Sequence, residues 1–275
     1  IAATGVQLEY GCRVGEDRSF DELREGFDHV VVAVGAQAGR LMGLDGESET
    51  EGVTDGLSFL MDVRRGAAPD LGAHTCIVGG GNAAMDAART AWRLSGEGDV
   101  QVLYRRTRAE MPADPDEILA LEAEGVGLSE LVMPTAVLTE KGRIRALSCV
   151  RMALSEQDAS GRPRPVPVEG SDFEVPCTSL IVCVSQRALL DFLKDAAVDL
   201  TKWDTVKTDG ASGETTARHV YAAGDVVTGP STVIQAVAAG QRVADAILRR
   251  DGRVDSQPAL GATKEVSDLD LLRRR

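Results

Sequence analysis

The chain has 275 residues, a formal net charge of −13 and only 4% aromatic residues. That length accommodates one large or two medium domains with ample core. The acidity and the scarcity of aromatics argue against a nucleic-acid binder, which needs a net basic face, and no apolar run approaches the ~18 residues of a membrane-spanning helix.

In chain order, residues 20–27 read as a short helix or turn. Residues 27–36 (FDHVVVAVGA) read as a continuous β-branched strand, buried on both faces and ending in glycine. Residues 40–56 are glycine-rich and acidic, a loop, and 58–65 are a helical candidate. The segment 75–108 reads as strand, glycine turn, helix, second strand and arginines. A helix over 115–124 stops at Gly125, and the alternation over 126–150 predicts two or three strands. The proline- and glycine-bearing stretch 157–170 reads as loop, 179–185 as a buried strand, 201–218 as polar turns and 220–223 as another strand. Val233, Val237, Gly240, Ala244, Ile247 and Leu248 share one face of a long helix, with Ser231 or Thr232 as its cap. From residue 251 the pattern fades into a charged, flexible tail.

Gly79-x-Gly81-x-x-Ala84 is the dinucleotide-binding fingerprint with alanine in the third position. Gly79 allows the sharp turn, Gly81 lets backbone close on a pyrophosphate, and Ala84 lets the helix pack on the sheet. The helix start offers free N–H groups to phosphate, so Gly79, Gly80, Gly81, Asn82, Ala83 and Ala84 are candidate nucleotide contacts. An NAD site carries an acidic residue after the second strand. Here Arg105, Arg106 and Arg108 follow it instead, and guanidinium groups suit a 2′-phosphate. This favours NADPH over NADH, although Glu110 keeps NADH in play and a charge run is often plain surface.

The second informative stretch is 219–247. A strand ends in Gly224-Asp225, and a capped helix follows at Ser231, Thr232 and Val233. The carboxylate can accept hydrogen bonds from ligand hydroxyls, and the helix start presents a positive dipole end; the bland alternative is an Asp-capped turn. The five cysteines (Cys12, Cys76, Cys149, Cys177, Cys183) are odd in number and form no Cys-x-x-Cys, which suits a reducing cytoplasm. His29, His74 and His219 are far apart along the chain and give a metal site or catalytic triad little support.

The ordered set FDHVVVAVGA, CIVGGGNAAMDAARTA, VLYRRTRAEMPA and HVYAAGDVVTGPSTVIQAVAAGQRVADAI resembles the small subunit of glutamate synthase and related flavin oxidoreductases. Similar modules occur in dihydropyrimidine dehydrogenase, and the resemblance covers about residues 5–250. It implies an α/β fold of two Rossmann-like dinucleotide-binding domains, the NAD(P)H domain (71–190) inserted into an FAD domain (1–70 and 191–250), followed by a flexible tail (251–275). By the same resemblance, Gly35 lies in an ATG-like turn and Asp225 contacts the flavin ribityl chain. The helix beginning at Thr232 points at the isoalloxazine, and Arg105 and Arg106 meet the 2′-phosphate. The implied activity is hydride transfer from NADPH to FAD, then electron delivery to an iron–sulfur protein or larger catalytic subunit, without nucleic acid or membrane. The family's opening GxGxxG unit for the FAD diphosphate has no counterpart before Gly35. The expectation is therefore a truncated FAD domain, part of a longer reductase; the alternative is a non-catalytic nucleotide-binding subunit that has lost flavin.

Overall fold

The computed structural model describes residues 5–96, 98–157 and 161–253. These divide into two compact units, one containing residues 35–189 and the other made of the segments on either side.

Within the unit 35–189, strands β2 (Ala38–Gly39), β3 (Val53–Asp55), β4 (His74–Val78), β5 (Asp99–Tyr104), β6 (Gly127–Glu130), β7 (Val132–Glu140), β8 (Arg143–Gln157), β9 (Pro163–Pro167), β10 (Phe173–Pro176), β11 (Ser179–Val182) and β12 (Gln186–Arg187) follow in chain order, with β1 assigned to the other unit. The main sheet is parallel, in the order β3-β11-β4-β5-β6. Its two faces explain the unbroken apolar run of β4. Ile77 packs among Ala84, Met85, Ala88 and Val102 on one side. Cys76 and Val78 meet Leu147, Cys149 and Cys177 on the other. A strand covered on both faces needs apolar residues at every position rather than at alternate ones.

The first face is covered by helices α2 (Gly56–Arg64), α3 (Asn82–Leu94) and α4 (Pro115–Ala123). Asp55 caps α2 by accepting from the amides of Leu57 and Ser58, and Asp114 with Pro115 begins α4. Ala84, Ala87, Ala88 and Ala91 of α3 are fully buried, and their small side chains let the helix lie close on the sheet. Arg89 ties α3 to α4 through Glu117 and Glu124, at 2.6 and 2.7 Å. The second face is covered by an antiparallel sheet in which β10, β8 and β7 lie side by side and β9 pairs with β8.

Two expectations change here. Residues 40–56 are not all loop: β3 pairs in parallel with β11, and the compact unit that holds the fingerprint begins at residue 35. A three-residue strand has almost no periodicity of its own, and its partner is remote in sequence. The stretch 157–170 contains β9, paired with β8 although it carries Pro163, Pro165 and Pro167. Proline is tolerated there because β9 has a neighbour on one side only.

The flanking unit contains α1 (Phe20–Gly26), β1 (Val30–Val32), β13 (Val220–Ala222), α5 (Asp225–Thr228) and α6 (Val233–Arg250). Ser19 and Glu22 form a reciprocal capping box at α1. Strands β1 and β13 make a two-stranded parallel sheet, and α6 lays Ala239 and Val243 on Tyr221 and Ala223. The expected long strand, buried on both faces, is observed only over Val30–Val32, with Val31 and Val34 exposed. The apolar face assigned to α6 is also displaced: Val233 and Val237 are 80% and 56% exposed, while Ala239, Val243 and Ile247 form the packed stripe. Alanine carries too little hydrophobic weight for periodicity to separate the two stripes.

Tertiary structure brings His29 and His219 together, with ring centroids 5.2 Å apart, despite their separation in sequence. Among the described residues no group of His, Cys, Asp and Glu could hold a metal ion, and no helix is long and apolar enough to cross a membrane. All five cysteines are free thiols. The predicted tail lies outside the described residues from residue 254 onward.

Candidate nucleotide-binding site

Strand β4 ends at Val78, and Gly79 turns the chain at φ +151°, its amide donating to the Leu103 carbonyl. A Cβ at Gly79 would sit 2.5 Å from the Cys183 carbonyl oxygen, and one at Gly80 would sit 2.4 Å from the Tyr104 ring. Both glycines are therefore required by the protein's own packing. Gly81 differs. Its φ of −96° suits any residue, and a Cβ there would meet only Pro112, at 4.0 Å. The space beside Gly81 is left for something other than protein, which is what close approach of a pyrophosphate needs.

Gly81 caps α3 without a side-chain bond, so the amides of Asn82 and Ala83 find no acceptor among the described residues. Two unpaired amides at a helix start form an anion site by geometry and by dipole. The Asn82 side chain is otherwise engaged: its Oδ1 accepts from the Asp114 amide at 2.8 Å. With the Ala113 amide donating to the Gly80 carbonyl at 3.1 Å, this lays residues 112–114 across the glycine turn. The sequence reading missed this strap, and its only signal is the run Met111-Pro112-Ala113-Asp114 itself. Ala84 is fully buried, as helix–sheet packing demands. Burial first of all pushes the Cys183 thiol up to about 12, so the cysteine beside this turn is held as neutral thiol.

The loop after β5 resolves the arginines. Arg105 is exposed and has no side-chain partner among the described residues. Arg106 is 4% exposed, and its Nε donates to the Pro163 carbonyl at 2.8 Å. Arg108 is engaged with Glu122 at 2.7 Å. Of the two arginines expected at a 2′-phosphate, Arg106 is turned inward and Arg105 outward. Glu110 is also spoken for: its carboxylate accepts from the amide and hydroxyl of Thr107. Glu130 accepts the Arg108 amide at 2.7 Å. Each of these carboxylates thus has one oxygen, Oε2, bonded to this loop.

The remaining candidates stand elsewhere. Gly35, at φ +68°, begins the same unit as the fingerprint. In the flanking unit, Gly224 adopts φ +78° at the start of α5. Asp225 Oδ1 accepts from the amide and hydroxyl of Ser231 at 3.1 and 3.2 Å. Its second oxygen has no donor among the described residues. Of the two expected caps, Thr232 is the one observed, bonded reciprocally with Gln235; Ser231 serves Asp225 instead. Among the described residues the amides of Val233 and Ile234 have no acceptor, and both side chains are about four-fifths exposed.

A parallel sheet carrying a strand–glycine turn–helix is the architecture of a dinucleotide-binding domain. The chain belongs to the pyridine nucleotide-disulphide oxidoreductase family, whose model matches residues 2–240. It is 44% identical over 249 residues to the NADP(+)-dependent formate dehydrogenase subunit beta of Moorella thermoacetica, covering 90% of this chain and 35% of that protein. It is 38% identical over 273 residues to the NADPH-Fe(3+) oxidoreductase subunit beta of Geobacter sulfurreducens, covering 90% and 40%. A putative glutamate synthase [NADPH] small chain of Cereibacter sphaeroides is 34% identical, covering 90% and 62%. The chain therefore spans about a third to three-fifths of the length of these relatives. Among solved structures, Mycobacterium tuberculosis FprA in complex with NADPH shares the fold, with TM-score 0.69 and 20% identity, covering 90% of this chain and 70% of that one.

Proposed function

We propose that this chain binds NADPH through the unit 35–189 and contributes the remainder of an FAD site from its flanking segments. It forms part of a flavin oxidoreductase that moves hydride from NADPH to FAD. The electrons then pass to an iron–sulfur protein or larger catalytic subunit; that the relatives are beta subunits, of an NADP(+)-dependent formate dehydrogenase and an NADPH-Fe(3+) oxidoreductase, supports a partner subunit. One observation carries the choice of NADPH: in the loop after β5, Arg105 is exposed with no side-chain partner among the described residues, while Glu110 and Glu130 each bond that loop through Oε2.

The residues present fit both groups. Gly81 and the unpaired amides of Asn82 and Ala83 accept a pyrophosphate. The second oxygen of Asp225 would accept a hydrogen bond from a ribityl hydroxyl, and the first amides of α6 would favour an electron-rich ring edge. Bound FAD supplies the conversion of a two-electron hydride donor into one-electron steps. The chain's own side chains bind and orient; none is required to hold or move a proton. The free thiols fit a reducing compartment such as the cytoplasm.

Arg105→Ala is expected to weaken NADPH binding by about tenfold or more, the scale of losing charged hydrogen bonds, and to leave NADH nearly unchanged. Titration with both nucleotides reads this directly, and equal losses would sink the 2′-phosphate assignment. Asp225→Ala is expected to lower the flavin content of the purified protein. NADPH binding without any flavin in the wild type would instead favour the non-catalytic nucleotide-binding reading.

A further inference from the structure

Arg106 is a buried cation that the nucleotide reading leaves without a role. Its position in the bonding pattern supplies one. Its Nε donates to the Pro163 carbonyl of β9. Its own carbonyl accepts from the Leu131 amide at 3.1 Å, and the Leu131 carbonyl accepts from the Met152 amide of β8 at 2.8 Å. Leu131 reaches both bonds from the left-handed region, at φ +57°. Arg106 therefore bonds β9 directly through its side chain and connects to β8 through the backbone of Leu131.

The same residue adjoins Arg105 and lies at the start of a loop already pinned elsewhere. The Arg108 amide is fixed by Glu130 and the Thr107 amide by Glu110, while the Tyr104 hydroxyl donates to the Glu110 carbonyl. Every position from Tyr104 to Glu110 that bonds inward is on the protein side, and Arg105 is left outward.

We propose that Arg106 is a positioning residue for nucleotide specificity: it clamps the β8–β9 ribbon to the loop after β5 and so aims Arg105 at the 2′-phosphate of the nucleotide. This rests on the NADPH reading above. The two adjacent arginines divide the task, one touching phosphate and one holding the frame. A buried guanidinium bonded through Nε to a carbonyl uses its fixed planar shape, which a lysine ammonium does not reproduce. A phosphate contact, by contrast, retains much of its strength with lysine as a point charge.

The test uses the full chain with Arg105→Ala, Arg106→Ala, Arg106→Lys and the double alanine variant. Two quantities are read: hydrogen exchange over the ribbon (152–157 and 161–167) without nucleotide, and the dissociation constants of NADPH and NADH. Arg106→Ala and Arg106→Lys are both expected to speed exchange over the ribbon, and Arg105→Ala is expected to leave it unchanged. Arg106→Ala weakens NADPH several-fold in the wild-type background but by less than about twofold once Arg105 is alanine, because residues acting as one unit are non-additive. Additive losses with unchanged ribbon exchange, or full rescue of NADPH binding by Arg106→Lys, would overturn the proposal and make Arg106 a phosphate contact. Should Arg106→Ala fail to fold, Arg106→Lys carries the same comparison. A wild-type protein that binds the two nucleotides equally would defeat the NADPH reading, whereas the exchange data would still report whether Arg106 holds the ribbon.

Discussion

The unit 35–189 and the flanking unit contain the same local device, a short buried strand ending in glycine followed by a capped or open helix start, yet the helix is covered very differently in the two. In the first, β4 has strands on both edges and cover on both faces, and its residues from Thr75 to Val78 are all buried. In the second, β13 is buried as well, laddered with β1 and bonded on its other edge to residues 213–215, but helix α6 exposes Val233, Ile234 and Val237. Identical sequence grammar therefore specifies a site without specifying how much packing supports it. Local pattern encodes the turn, whereas support comes from strands far away in the chain.

The comparison breaks most decisively at the domain boundary. Residues 35–189 expressed alone are expected to unfold cooperatively on heating, because the sheet, its helices and its antiparallel cover are all included. Residues 71–190 are expected to lack that transition, since β3 and α2 are removed and β11 becomes an unprotected edge. Equal melting of both fragments would mean that β3 and α2 are dispensable to the unit.

Next in size come the glycines. Gly79→Ala is expected to destabilise the fingerprint unit by about 3 kcal/mol, from a strained φ and an unyielding carbonyl at 2.5 Å. Gly81→Ala should cost within about 1 kcal/mol while weakening NADPH binding clearly. Thermal melts and nucleotide titrations separate these effects, and the assignment of Gly81 to the pyrophosphate fails if its variant binds normally.

A third contrast lies along α6. Val243→Ala removes a packed side chain and is expected to cost about 2 kcal/mol, whereas Val237→Ala, already more than half exposed, should stay within about 0.5 kcal/mol. Comparable losses from denaturant titrations would show that Val237 is covered in solution.

The smallest effect is electrostatic. The Arg89 guanidinium beside Glu124, bonded at 2.7 Å, holds that carboxyl below the usual value, with Arg93 adding to it. A depressed folded value gives stability that is present above the unfolded value near 4.3 and is lost as pH falls through the folded value. Both partners retain about a fifth of their side-chain exposure, so Glu124→Gln is expected to cost about 1 kcal/mol or less at neutral pH and to flatten the decline in melting temperature below about pH 4.3. An unchanged acid slope would assign that decline to other carboxylates.

Amino-acid sequence alone determined the fingerprint turn, the α/β alternation, the insertion of one unit into another and the kinship of the four motifs. Each is written in neighbouring residues: a β-branched run, glycines at fixed offsets, a helix start. Only tertiary structure decided which arginine faces outward: Arg105 and Arg106 are equivalent as letters, but Arg106 is buried and bonded to the Pro163 carbonyl whereas Arg105 is exposed. The same holds for Glu110, claimed by Thr107, and for β3, whose place depends on β11. Burial and hydrogen-bond partners are properties of residues distant in the chain, and a local pattern carries no information about them until the chain has folded.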